Sequence, residues 1–130
     1  MFKLIKINNS TSNVPEIVKL KKYATLDFQI GEALSISNER AARCSENVRP
    51  DYIAVSYAAE RDIYVYAYKV TCDMVFEADY YSSQALKKGE KHSLGTYDSD
   101  AILGIGMSDD NGVATVIDVV DSKKATIIFE

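Results

Sequence analysis

The stretch that most constrains this chain runs from Tyr52 to Val70. It holds two runs of alternating residues, Tyr52–Tyr57 and Asp62–Val70, joined by the short link Ala58-Ala-Glu-Arg61. Successive side chains of an extended backbone point to opposite faces. Ile63, Val65 and Ala67 therefore share one face, and Tyr64, Tyr66, Tyr68 and Val70 share the other. Branched and aromatic residues at this period favour a strand, and the short charged link predicts a hairpin. Neither face of the second strand is polar, so both are expected to meet protein.

The rest of the chain repeats this grammar. Phe2–Ile7 reads as a strand closed by the polar cluster Asn8–Asn13, and Glu16–Tyr23 as a second extended piece. The spacing of Val14, Ile17, Val18 and Leu20 would also suit a short helix. Leu26, Phe28 and Ile30 alternate into Gly31. Ala33–Ser37 is a further strand, with Asn38-Glu39 placed as a two-residue turn onto Arg40–Cys44. Pro50 biases Arg49 towards extended geometry. Met74–Ala78 and Glu90–Leu94 are strands, and Asp79–Lys88 between them could hold one helical turn. After the turn-rich Gly95–Asp100, Gly104 and Gly106 predict a bulge or sharp bend in Ala101–Met107. Ser108-Asp-Asp-Asn-Gly112 predicts a tight hairpin with positive φ angles. Val113–Val120 and Lys124–Phe129 close the chain as strands.

Many short strands with turns between them predict an all-β fold. The expected form is a single small β-barrel or sandwich of short antiparallel strands over residues 1–130, with at most one short helix. One internal echo stands out: Phe28-x-x-Gly31-Glu32 and Leu86-x-x-Gly89-Glu90 each place an apolar anchor and Gly-Glu before a strand. It predicts that two strands enter the sheet through similar glycine turns.

Composition narrows the function classes. A chain of 130 residues with 47% apolar and 26% charged residues is an ordinary globular protein, long enough to bury roughly two-thirds of its unfolded surface. A net charge of −4 argues against a nucleic-acid partner. No run approaches the ~18 apolar residues that span a bilayer, so no membrane partner is expected. Lysines interrupt the first strand, so no signal-peptide core forms and a product made in the cytoplasm is expected. Cys44 and Cys72 lack paired spacing and are expected as free thiols.

Reactive constellations are not nominated. His92 is the only histidine, and its neighbour Ser93 points to the opposite face of a strand. An ordinary surface or edge histidine is expected rather than a member of a catalytic triad. One His and two distant Cys cannot fill a usual zinc site. Asp109-Asp110-Asn111 lacks the ligand spacing and closing Glu of an EF-hand and reads as turn chemistry, with metal binding left open. Gly104-Ile-Gly106 lacks the third glycine of a dinucleotide fingerprint. No catalytic, cofactor or metal residue emerges, and a non-enzyme is expected.

The tyrosines are the main functional feature. The chain has nine Tyr and no Trp. Tyr64, Tyr66 and Tyr68, with Tyr52 and Tyr57, form a candidate interface. Three buried tyrosines need roughly 450–750 Å² of cover, as much as the largest apolar patch of a typical monomer, about 300–600 Å². The cover could be this chain's own core, another subunit, or a sugar stacked on the rings.

The order of motifs resembles the small β-barrel proteins encoded beside the major capsid gene of tailed phages, the capsid decoration or head-fibre-like proteins. The likeness spans residues 26–130. It is carried by Gly31-Glu-Ala-Leu-Ser-Ile-Ser-Asn38, Arg49-Pro-Asp-Tyr-Ile-Ala54, Tyr66-Ala-Tyr-Lys-Val-Thr-Cys-Asp-Met-Val-Phe-Glu77, Leu86-Lys-Lys-Gly-Glu-Lys91, Gly112-Val-Ala114 and Ile127-Ile-Phe129. The chain departs from the pattern at Asn38-Glu39 and at Glu46, where smaller residues are usual, which predicts looser turns. The resemblance implies a virion component without catalytic residues. It would sit on the capsid surface and bind the major capsid protein as a homo-oligomer, a trimer fitting shell symmetry. The rival expectation is a carbohydrate-binding β module that uses the tyrosine face.

Overall fold

A computed structural model describes residues 1–8, 14–96 and 100–130. Most of the polar cluster after Ile7, and residues 97–99 of the turn-rich segment, lie outside them. The described residues form eleven β-strands and no helix. These are β1 (Phe2–Ile7), β2 (Ile17–Lys21), β3 (Ala33–Ser37), β4 (Arg40–Arg43), β5 (Tyr52–Ala54) and β6 (Tyr64–Lys69). They continue as β7 (Met74–Tyr80), β8 (Lys91–Gly95), β9 (Gly104–Ser108), β10 (Ala114–Asp121) and β11 (Lys124–Phe129). The all-β expectation holds, and the barrel is present.

Two sheets carry the chain. One has the order β2-β6-β5-β3-β4. The other has the order β7-β11-β10-β8-β9 and closes on itself through a parallel β7·β9 contact, with β1 added beside β7. The first sheet meets itself too, at the parallel bridge Lys22↔Ala41. Written from the first strand of each, the two orders are the same, and every corresponding pair has the same sense. The chain is thus one five-stranded topology laid down twice, and β1 is the extra strand.

The glycine echo marks this repeat. Gly31 and Gly89 are the only described glycines in the left-handed region, at φ 81° and 92°. Each is the third residue of a four-residue turn closed by a backbone bond, Glu32 N–H to Gln29 and Glu90 N–H to Lys87. Positive φ at that place excludes most side chains. The following ladders match as well. Gly31 donates to Ala54 and Glu32 accepts from Ala54; Gly89 donates to Val116 and Glu90 accepts from Val116.

The two lobes share one apolar core. Phe76, Phe129 and Ile127 of the closed barrel and Phe2 of β1 pack in one cluster with Ala33, Ile53 and Tyr68 of the other sheet. A smaller cluster fills the first lobe, around Phe28, Leu34, Val65 and Ala67. Backbone bonds cross the junction as well, Ala33 N–H to Ile102 and Leu94 N–H to Glu46.

Several local expectations need correction. The Tyr52–Val70 hairpin is present, with Ile53 opposite Tyr68. The Asn38-Glu39 turn is tight rather than loose: both residues are left-handed, at φ 50° and 64°, the conformation of a two-residue hairpin turn. No helical turn forms after Asp79: Tyr80 N–H bonds to Lys123 and Tyr81 N–H to Ile105, which holds the start of the segment against the sheet. The Asn111-Gly112 segment does not join a hairpin, since β8 lies between β9 and β10. Asp109 closes that turn instead, accepting from Gly112 N–H at its carbonyl (2.8 Å) and from Asn111 N–H at its carboxylate (2.9 Å). Gly112 is required there by a close approach: a Cβ would lie 2.4 Å from the His92 carbonyl.

Candidate interaction surface

The sheet geometry divides the tyrosine face. Strand β6 alternates until Ala67, with Val65 and Ala67 turned into the first lobe and Tyr64 and Tyr66 turned out. Tyr64 and Tyr66 are 43% and 47% exposed, and Tyr57, in the loop before the strand, is 61% exposed. Tyr68 follows the same alternation but lies where the sheet packs on the second lobe. It is 5% exposed and stacks on Phe76 at 6.4 Å between ring centroids. Burial pushes its phenol pKa well above the usual value. Tyr68 is therefore core, and the interface reading does not apply to it. Tyr52 is half-buried against the first-lobe cluster and apart from the other three.

Tyr57, Tyr64 and Tyr66 line one open depression of about 520 Å³, together with Lys19, Arg61 and Ile63. Three features fix its shape. The β2·β6 register places Lys19 opposite Tyr66 and Lys21 opposite Tyr64. The Lys19 ammonium sits 4.1 Å from the Tyr64 ring centroid, a cation–π contact that holds the ring face to one side. Asp62 accepts from Ala59 N–H at 2.8 Å, which tightens the loop carrying Arg61. Ile63 is exposed because it precedes β6 and escapes the strand's alternation. Lys19 and Arg61 were not singled out from the sequence, because the pairing of β2 with β6 spans more than forty residues of chain and leaves no local signal.

Buried ions lie elsewhere. The Lys22 ammonium is enclosed by the carbonyls of Tyr23, Leu26 and Glu60 and ties the two loops at one end of the first lobe. Glu32 is fully buried. Its carboxylate accepts from Gln29 N–H (3.1 Å) and from Arg43 (3.2 Å), and Arg43 also reaches Asp27 at 2.8 Å. Burial dominates over these donors and pushes the Glu32 pKa up to about 7.

His92 departs from the sequence expectation. The expected surface histidine is fully buried, because its strand turns it into the closed barrel. Its Nδ1 lies 2.8 Å from the Gly106 carbonyl. A carbonyl only accepts, so Nδ1 carries a proton. Nε2 has no hydrogen-bond partner and faces the Glu90 carboxylate at 3.4 Å, with the Tyr80 ring edge-on at 5.5 Å. Cys44 is buried and Cys72 exposed, both as free thiols. Among the described residues no group of three or more His, Cys, Asp or Glu could hold a metal ion.

In comparisons with known proteins, no family model, curated protein or solved structure matches this chain.

Proposed function

We propose that the chain is a structural, non-enzymatic protein of a phage head. In this reading it is a capsid decoration or auxiliary protein that binds the major capsid shell through its tyrosine face. It would be made in the host cytoplasm, carried on the capsid surface and held there as a homo-oligomer, a trimer being the form that shell symmetry favours. The observation that carries the reading is the grouping of Tyr57, Tyr64, Tyr66 and Ile63 in one exposed depression. Aromatic rings on a rigid sheet give large contact area with few torsions to freeze, the property of interface anchors. The ordered motifs of residues 26–130 point the same way.

The test is attachment to heads stripped of this protein, read by co-sedimentation, with light scattering for the molar mass of the free chain. Wild-type protein is expected to be trimeric and to sediment with heads. A Tyr57→Ser/Tyr64→Ser/Tyr66→Ser variant should keep its fold and lose attachment. A monomeric chain that ignores the heads, or a variant that binds as well as wild type, would refute the proposal.

One observation favours a second reading. The depression sets Ser56, Arg61 and Asp62 beside its rings, and polar groups flanking an aromatic platform suit a sugar. Glycan binding lost in the same variant, with head attachment intact, would move the assignment to a carbohydrate-binding module.

A further inference from the structure

Strands β2 and β7 hold the same place in the two copies of the repeat. Each pairs along one edge with the last strand of its lobe. On the other edge each touches its lobe's third strand only at the far end, Lys22 with Ala41, and Asp79 and Tyr80 with Gly104 and Ile105. The remainder of that edge differs. On β7 it is filled by β1, with Lys3 opposite Glu77 and Leu4 opposite Phe76. On β2 no described strand occupies it.

The open edge can be traced residue by residue. Lys22 N–H bonds to Ile63, on the β6 side. Alternation in an antiparallel ladder then turns the backbone groups of Ile17, Lys19 and Lys21 outward; the parallel bridge at Lys22 takes up the Lys21 carbonyl through Ala41 N–H, and no described strand pairs with Ile17 or Lys19 on this side. The interior shows the same vacancy in the pattern. Phe76 and Ala78 of β7 are fully buried, with Phe2 of β1 packed 5.3 Å from Phe129. Val18 and Leu20, at the matching places on β2, are only half-buried.

Charge then selects the occupant. The outer face of β7 carries Glu77 and Asp79, and the strand it receives brings Lys3 and the terminal amine, which pairs with Asp79. Strand β2 carries Lys19 and Lys21 at those places. A second copy's β1 would set lysine against lysine, an unfavourable cross-strand pair.

We propose that β2 is a docking edge for an extended segment of a partner protein. That segment would be acidic at the positions facing Lys19 and Lys21 and apolar between them, where it covers Val18 and Leu20. It adds antiparallel, as β1 adds to β7, and its backbone satisfies the outward groups of Ile17 and Lys19 and the outward N–H of Lys21. The proposal rests on the repeat and not on the phage reading, although the edge adjoins the Tyr64–Tyr66 face.

The test uses the full chain and two capped peptides with the apolar pattern of β1, Glu-Phe-Glu-Leu-Ile-Glu-Ile and Lys-Phe-Lys-Leu-Ile-Lys-Ile. Binding is read by fluorescence anisotropy, and amide hydrogen exchange is followed at Ile17, Lys19 and Lys21. The acidic peptide is expected to bind at least about tenfold more tightly than the basic one and to slow exchange at those three amides. Lys19→Glu/Lys21→Glu should invert the preference. Lys19→Pro removes one outward donor while tolerating an edge strand; it should abolish binding with the melting temperature little changed. The triple tyrosine variant should keep peptide binding, so a failure of head attachment would leave this result standing. Lysines can also serve to keep an edge solitary. Binding of neither peptide would support that role and overturn the proposal. Equal binding of both, no protection of the three amides, or loss of binding in the triple tyrosine variant would overturn it as well.

Discussion

Replacing Glu32 by glutamine should change how stability depends on pH. Glu32 is fully buried, with Gln29 N–H and Arg43 as its donors. Burial raises its pKa from 4.5 to about 7, and neighbouring Asp27 adds to the rise. Below pH 4.5 the group is protonated in folded and unfolded chains alike, and its contribution is fully present. Between 4.5 and about 7 the folded chain keeps a proton that the unfolded chain has lost, so stability falls as pH rises. Above pH 7 both states are ionised and the contribution is gone. At 1.36 kcal/mol per pKa unit, the interval corresponds to about 3 kcal/mol. Glutamine keeps the shape and an acceptor for Gln29 N–H but does not titrate. Urea unfolding of both proteins from pH 4.5 to 8 isolates the effect, because carboxyls remote from Glu32 cancel in the difference. The stability of Glu32→Gln relative to wild type should rise by about 3 kcal/mol across that range. A difference that stays flat to within about 0.5 kcal/mol would refute the reasoning and place the charge with Arg43 as fully compensated.

Five further outcomes follow from the packing and the backbone, all measured by urea unfolding. Tyr68→Ala should cost about 3–5 kcal/mol, because it opens a cavity beside Phe76, whereas Tyr64→Ala should stay within roughly 0.5–1 kcal/mol. Gly112→Ala should cost about 2–3 kcal/mol, since its Cβ would press on the His92 backbone. Gly89→Ala meets no atom and should cost only about 1 kcal/mol, for its left-handed φ. Glu39→Gly should stabilise by about 0.5 kcal/mol, relieving φ 64° at a cost in unfolded-chain entropy.

Much of the fold was legible because its signals are local. Alternation in Met74–Ala78 and Lys124–Phe129, the two-residue turn at Asn38-Glu39 and the Gly-Glu turns at 31 and 89 each act within a few residues. What escaped was decided across the chain. Tyr64 and Tyr68 lie on one face of one strand, and nothing in their spacing tells which end of the strand the second lobe will cover. Asn111-Gly112 has the composition of a hairpin, but β8 already holds the edge that β10 would need. His92 sits among polar neighbours, and only closure of the barrel turns it inward.

The repeat sharpens what the divergent residues mean. Where the two lobes share a backbone task, their chemistry agrees: Gly31 and Gly89 make the same turn, and Tyr23 and Tyr81 send their N–H groups to the same kind of carbonyl, those of Ala41 and Ile105. Where the surroundings differ, the residues part. Lys22 is enclosed by three carbonyls, whereas Tyr80 in the matching place meets His92. Lys19 and Lys21 stand where Glu77 and Asp79 face the basic first strand. The agreement at the turns shows that these places are comparable, so the reversal of charge is a property of the edge itself. Carboxylates at these two places would also keep an edge soluble. Lysine at both positions disfavours one occupant in particular, the basic β1 of a neighbouring copy, and leaves the edge open to an acidic strand from elsewhere.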